Sequence, residues 1–321
     1  MQWTEMVIAI VSGFALTIMA MPIVIGFFRT KQLGQTTRDE GPKWHEVKTG
    51  TPTMGGIVFL VAAIISTIWV AIWQNVLSLG ILLSLFILIL YGLLGFLDDF
   101  IKVFKKRNLG LTSKQKLIGQ ILGGVLFFIA YNYDGLPTEL AFPFLGTVDI
   151  GWFYGLFIIF WLVGFSNAVN LTDGLDGLVA GTASIAYGAY AIIAWNQQQL
   201  DILIICLTVI GGLIGFFFFN KKPAKIFMGD VGSLALGGGL AAISILLHQE
   251  WSLLLIGLVF VMETASVMIQ VASFKLRGKR VFKMSPIHHH FEMSGWSEWR
   301  VVLTFWAIGL IAAIACLAII L

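Results

Sequence analysis

Apolar runs alternate with short polar segments along the whole chain. Ten runs approach the roughly 20 residues needed to cross a ~30 Å hydrocarbon core. They lie at about 4–28, 54–73, 79–97, 116–132, 151–169, 174–195, 200–219, 232–248, 250–273 and 300–320. Strict alternation of apolar and polar positions is absent over most of the chain, which argues against a barrel. Backbone polar groups in lipid must be satisfied within their own segment, so the runs predict helices. The pattern predicts an all-α integral membrane protein with about ten transmembrane helices, one polytopic domain over residues 1–321. Segment 132–150 holds Asp134-Gly135, Pro137 and Pro143. It predicts an irregular loop with at most a small hairpin.

Charge adds an orientation. All 20 Lys and Arg residues fall in segments 29–48, 102–116, 221–225 and 275–300. The turns near 74–78, 132–150, 196–201 and 248–251 contain none. Cytoplasmic loops carry the Lys/Arg excess, so the basic segments are expected inside. An even number of spans then puts both termini on the outer side. Residues 1–28 carry no basic residue, while Arg29 and Lys31 follow the apolar run. That order is the reverse of a cleavable signal peptide. A basic face also attracts anionic lipid, by about 1 kcal/mol per Lys or Arg near the surface. The bilayer is therefore an expected partner. Nucleic acid is not, because no soluble basic region exists to present it.

Composition agrees: the chain is 58% hydrophobic and 12% charged, against about 25% charged in soluble domains. Cys206 and Cys316 fall inside predicted spans and read as apolar packing residues. Gly211 and Gly215, and Ala235 and Gly239, are small residues four apart, a spacing that lets helices approach closely.

The candidate chemistry gathers at the basic ends of the spans. The third span ends in Asp98-Asp99-Phe100-Ile101-Lys102. Adjacent carboxylates repel and gain from a shared cation or proton. On a continuing helix Lys102 lies beside both. Residues 167–177 interrupt an apolar run with Asn167, Asn170, Asp173, Gly174, Asp176 and Gly177. Asp173 alone reads as a helix N-cap, which leaves Asp176 and the two Asn unexplained. In Asn220–Ser233, Asp230 and Ser233 open a span, where a helix N-terminus favours anions. Asp230 suits a Mg²⁺ ion as well, since Mg²⁺ takes a few carboxylates plus substrate phosphate oxygens. Phe227 offers a stacking face or a membrane-interface anchor.

The last basic segment contains His288-His289-His290. Three consecutive imidazoles lack the spacing of a zinc site. They read as an exposed polar loop, or as groups that bind phosphate or move a proton near neutral pH. Glu263 sits about midway in the ninth span, with Gln270 seven residues on. It marks a transport path or a helix-packing hydrogen bond.

Taken together, these motifs resemble the phospho-N-acetylmuramoyl-pentapeptide-transferase family. That family is one of the polyprenyl-phosphate N-acetylhexosamine-1-phosphate transferases. The likeness covers nearly the whole chain. It runs through Gly50–Gly56, Asp98-Asp99 with Lys102, Thr112-Ser113-Lys114, Asn170–Gly177, Phe227–Ser233 and Pro286–Glu292. The triple-His loop resembles the muramoyl-pentapeptide branch.

The resemblance implies an enzyme of the bacterial inner membrane that acts in peptidoglycan synthesis, with its active site at the cytoplasmic face. Its substrates would be UDP-N-acetylmuramoyl-pentapeptide and undecaprenyl phosphate, its products lipid I and UMP, and its cofactor Mg²⁺. Asp98, Asp99, Asp230 and His289 are then the expected catalytic residues, with Asp230 the metal ligand. Lys102, Lys114 and His288 are expected to hold phosphates. Lys48, Thr53, Asn170, Asp173, Asp176, Asn220, Phe227 and Ser233 are expected to line the nucleotide-sugar site. Direct attack and a covalent route through Asp98 or Asp99 both remain open. So do two rivals: a sister transferase using UDP-N-acetylglucosamine, and a secondary transporter of an anionic metabolite with a midplane site. The residues do not set the oligomeric state, a homodimer included.

Overall fold

Helices form where the apolar runs predict them, and most start at an identifiable cap or turn. The computed structural model describes residues 2–31, 48–105, 110–142 and 146–321, with the backbone alone at 104, 141 and 142. Residues 32–47 and 106–109, from the first two basic segments, and Pro143 lie outside the described residues. The helices are α1 Trp3–Thr30, α2 Gly56–Trp73, α3 Leu79–Phe104, α4 Ser113–Tyr133, α5 Phe153–Thr172 and α6 Leu178–Asn196. They continue with α7 Leu200–Asn220, α8 Gly229–Leu246, α9 Ser252–Ile256, α10 Leu258–Arg277, α11 Ile287–Glu292 and α12 Glu298–Ile320. Among the described residues, ten helices are long and apolar enough to cross a membrane. Between α4 and α5, strands β1 Glu139–Phe142 and β2 Gly146–Asp149 pair antiparallel, with Leu140 opposite Val148. This is the small hairpin that the loop composition allowed.

Several boundaries differ from the hydropathy pattern, and three of the differences have a clear local reason. Helix α4 starts three residues early because Thr112 and Gln115 form a capping box. The Thr112 hydroxyl accepts from the Gln115 amide at 3.3 Å, and Gln115 Oε1 accepts from the Thr112 amide at 2.9 Å. That box satisfies two amides left open at a helix start. Helix α6 starts late because residues 173–177 form a turn. Gly177, at φ +79°, closes it in a region that suits glycine. The expected continuous span 250–273 is two helices, because the backbone at Gly257 (φ −92°, ψ 22°) leaves the helical region. A Cβ there would meet the Leu253 carbonyl oxygen at 2.7 Å.

Helix α8 is the axis of the bundle, buried from Val231 to Leu246. Helices α3 and α5 close on it through glycine. A Cβ on Gly95 would stand 2.2 Å from the Asp230 carbonyl oxygen, and one on Gly237 would stand 2.2 Å from that of Phe165. Helix α1 packs on α7 through a narrow stripe of Ala9, Gly13, Thr17, Met21 and Ile25. Gly211 and Gly215 face it: added Cβ atoms would stand 2.1 Å from the Ile10 carbonyl oxygen and 2.9 Å from Thr17 Cβ. Ala235 is buried, and Gly239 admits the Tyr187 hydroxyl. Both small-residue pairs therefore serve close packing. Cys206 and Cys316 are buried free thiols. The bundle's exterior is apolar, with Val7, Ile23, Leu122, Phe160 and Ile311 all exposed. Such a surface suits hydrocarbon.

A buried polar network crosses the bundle about one helical turn from the end that carries the basic segments. Gln120 Nε2 donates to Ser166 Oγ at 3.0 Å, and Asn167 Nδ2 donates to Gln120 Oε1 at 3.0 Å. Tyr91 donates to the Gln120 carbonyl at 2.8 Å, and Ser166 donates to that of Leu234 at 3.0 Å. These bonds lock α3, α4, α5 and α8 in register.

The approach of α3 to α8 generates a prediction. Gly95→Leu should destabilise the protein by about 1–3 kcal/mol, the cost of overpacking. The expected readout is a lower midpoint of thermal unfolding in detergent. An unchanged midpoint would mean that the contact contributes nothing to stability.

Candidate active site

Three carboxylates and two ammonium groups meet where α3, α4, α5 and α8 end. Asp98 and Asp99 are buried in the last turns of α3, at 0% and 4% exposure. One oxygen from each, and one from Asp230, lie within 4.8 Å of one another. Lys102 pairs with Asp98, and its Nζ lies 3.2 Å from Asp230 Oδ2 and 3.6 Å from Asp99 Oδ1. Lys116 Nζ lies 2.7 Å from Asp230 Oδ2 and 3.1 Å from Asp98 Oδ1. Asn170 Nδ2 donates to Asp230 Oδ1 at 3.0 Å and to Ser233 Oγ at 2.9 Å. The Leu111 amide donates to Asp98 Oδ1 at 2.8 Å, and the Val231 amide to Asp99 Oδ2 at 3.3 Å.

The backbone between Met54 and Asp230 makes room for this cluster. Gly55 N donates to the Phe227 carbonyl at 2.9 Å, and Phe227 N to that of Pro52 at 2.8 Å. Gly229, at φ +76°, turns the chain into α8. A Cβ there would meet Asp99 Oδ2 at 2.4 Å and Thr53 Oγ1 at 3.1 Å. Thr53 and Asp99 thus both border this glycine, and Phe227 lies half-buried on the same ladder.

A second charged cluster ties the loops together. Lys48 Nζ lies 2.7 Å from Asp176 Oδ1 and 2.6 Å from Glu298 Oε1. Lys222 pairs with Glu298 at 3.0 Å. Burial opposes the charged form of Lys48, but Glu298 and Asp176 outweigh it and raise its pKa. Asp176 Oδ2 accepts from the Ala224 amide at 3.0 Å. Asn220 accepts from the Gly177 amide at 2.9 Å and donates to the Ile226 carbonyl at 3.0 Å. Asp173 feels both clusters. Burial, then Asp230, Asp99 and Asp176, push its carboxyl up to about 8.

The histidine segment is ordered as α11 beside the 173–177 turn. His288 is buried and its Nδ1 lies 3.1 Å from Glu263 Oε1. His289 is partly exposed and its Nδ1 lies 2.9 Å from Glu292 Oε2. His290 Nδ1 accepts from the Lys283 amide at 3.1 Å. The three imidazoles thus have three different partners.

Among the expected phosphate holders, Lys114 sits on the exposed side of α4, away from the carboxylates that Lys116 touches. Two positions apart on a helix face opposite ways. Lys116 and Glu298 are the groups that sequence reasoning passed over. The Thr112–Gln115 capping box contained the signal for Lys116, because it fixes the first turn of α4. Nothing local marks Glu298, which meets Lys48 across 250 positions of chain.

Residues 79–248, more than half of the chain, match the family model described as glycosyl transferase family 4. The chain is 66% identical over 313 residues to the phospho-N-acetylmuramoyl-pentapeptide-transferase of Enterococcus faecalis, covering 98% of each protein. Identity to the enzyme of that name from Enterococcus hirae is 64% over 318 residues, 99% of each. With that from Listeria monocytogenes it is 57% over 310 residues, 96% of each. The chain belongs to the phospho-N-acetylmuramoyl-pentapeptide-transferase family. It is therefore a transferase of peptidoglycan synthesis and a multi-pass protein of the bacterial inner membrane.

For a member of this family the two lysines of α4 should behave differently. We predict that Lys116→Ala lowers turnover by about 100-fold or more, the loss typical of a central electrostatic group. Lys114→Ala should stay near the wild-type rate. Equal losses in steady-state assays would remove the distinction.

Proposed function

We propose that the protein transfers phospho-N-acetylmuramoyl-pentapeptide from its UDP-linked donor to undecaprenyl phosphate at the cytoplasmic face, giving lipid I and UMP. The observation that carries this reading is the meeting of Asp98, Asp99 and Asp230 with Lys102 and Lys116 at the basic end of the bundle. Phosphoryl transfer asks mainly for charge neutralisation and positioning. Three carboxylates and two ammonium groups at the end of an apolar bundle offer both, within reach of a lipid substrate and a soluble nucleotide.

The donor set suits a hard divalent cation, which binds oxygen and prefers carboxylates. We assign Asp230 as the Mg²⁺ ligand, with Asp99 in support. The bound cation would supply charge neutralisation at the donor pyrophosphate. Asn170 and Ser233 hold the Asp230 carboxylate in place. Lys102 and Lys116 bind phosphate oxygens, so Lys116 takes the part expected of Lys114. Phe227 stacks on uracil. Asn220, Asp176 and Lys48 shape the donor site by fixing the 173–177 turn, since their polar atoms are already bonded there. Thr53 and Asp173 line the same site. His288 and His289 contact donor phosphate or move a proton.

In the transfer step, an oxygen of the lipid phosphate forms a bond to the donor's β-phosphorus. The bond from that phosphorus to UMP breaks, and UMP leaves with the electron pair. A phosphomonoester is largely ionised near pH 7, with a second pKa of about 6, so Asp98 need only orient the acceptor. Asp98 is held by Lys102, Lys116 and the Leu111 amide. A carboxylate so engaged is a poor nucleophile, which favours direct attack over a covalent route. Glu263, the feature that favoured a transporter, faces His288.

Purified protein with Mg²⁺ and undecaprenyl phosphate should release UMP from UDP-N-acetylmuramoyl-pentapeptide and little from UDP-N-acetylglucosamine. Chelation should abolish the release. Comparable turnover of both donors would point to a sister transferase, and release undiminished by chelator would reject the metal assignment.

The proposed orientation places both termini outside and the basic loops inside. Single cysteines at Thr138 and Gln198 should label from outside intact cells, and one at Lys279 only after permeabilisation. Cys206 and Cys316 are buried and give little background. Outside labelling at Lys279 would move the site to the wrong compartment and sink the orientation.

A further inference from the structure

Glu263 is a buried carboxylate to which the proposed reaction assigns no role. It lies within α10, 0% exposed, and its ion-pairing partner among the described residues is His288. One carboxylate grips this residue twice. Oε1 lies 3.1 Å from the ring Nδ1, and Oε2 lies 3.5 Å from the backbone nitrogen, at the limit of a hydrogen bond. A carboxylate accepts, so Nδ1 carries its proton, and the other nitrogen is left for a different partner.

That other nitrogen is the second observation. His288 is 1% exposed, and its Nε2 is buried with no hydrogen-bond partner among the described residues. It points at Gly174, where a Cβ would stand 2.3 Å away. Gly174 follows Asp173 in the 173–177 turn, the turn that Asn220 and Glu298 also hold. A buried nitrogen left unpaired is unfavourable. Gly174 presents no side chain to this nitrogen, and glycine lets the backbone of the turn shift at low cost.

We propose that Glu263 is a positioning residue for the transfer reaction. It fixes the His288 ring so that Nε2 is presented at the 173–177 turn, as a hydrogen-bond acceptor for a hydroxyl or amide N–H of the UDP-linked donor held there. The inference rests on the proposed function and names a group that acts within it. Packing does not require a carboxylate at this place, since a leucine would fill a similar space without a charge to bury. The orientation of an imidazole by a carboxylate on its far nitrogen is a recurrent way of setting which nitrogen meets a ligand.

The test is a double-mutant cycle on detergent-purified full-length protein. Glu263→Leu, Glu263→Gln, His288→Ala and both double variants are assayed for UMP release, with each substrate varied in turn, and for thermal midpoint. Glu263→Leu should keep the midpoint yet lower kcat/KM for the UDP-linked donor by about tenfold or more, as displaced positioning groups do. The KM for undecaprenyl phosphate should hold. Glu263→Gln retains an acceptor and should recover part of the loss. In the His288→Ala background neither change at Glu263 should cost more, because coupled residues are not additive. Additive losses, or wild-type kinetics in Glu263→Leu, would overturn the assignment. If Glu263→Leu fails to fold, the cycle with Glu263→Gln decides by the same criterion. Wild-type protein that released no UMP would instead overturn the proposed function, and this assignment with it.

Discussion

The structure depends on the mutual neutralisation of charge at the end of an apolar bundle. Asp98 and Asp99 lie on one helix and Asp230 on another, close enough to share a cation. Ionised groups removed from water are tolerated when paired and hydrogen-bonded, and breaking one such pair strands the other charge. Lys102 and Lys116 supply the pairing, from α3 and α4. Asn170 and two backbone amides, from Leu111 and Val231, take further lone pairs. Helix α3 brings its two carboxylates to Asp230 because Gly95 lets its backbone lie against α8. Close helix packing and site geometry are therefore one constraint: a larger residue at the crossing would push the carboxylates apart.

The same logic extends outward through polar contacts that join distant parts of the chain. Gln120 and Asn167 bond one turn from Lys116 and Asn170, and so fix how α4 and α5 face the cluster. On the other side, Lys48, Asp176 and Glu298 fasten three segments into one wall. Asn220 spends both halves of its amide on the backbone of neighbouring turns. Several residues that look like ligand contacts in the sequence thus act by shaping the loops around the ligand.

Hydropathy located every long helix, because the need to cross lipid is written into each segment separately. It missed the break at Gly257, where the residues remain apolar while the backbone turns. The acidic residues at span ends were equally legible, since a charge beside hydrocarbon is costly and stands out. Which lysine faces them was not. Lys114 and Lys116 differ only in azimuth, and azimuth follows from where α4 begins. Glu298 and Glu263 were harder still. Their partners, Lys48 and His288, lie on other segments, and no local pattern encodes a contact made only when those segments pack.

Under the proposed function, the arrangement of charges suits a site that takes a cation and an anionic substrate together. The carboxylates are matched by lysines from the same protein. A divalent cation and a phosphate-bearing donor would enter together. Carboxylates can turn to the cation and ammonium groups to the phosphates, so each newcomer replaces a partner. Neither leaves a buried charge exposed to hydrocarbon. Lysine suits this exchange better than arginine, because a flexible stem carries a point charge without a fixed fork. The helix ends supply fixed positions and the lysine side chains supply the movement.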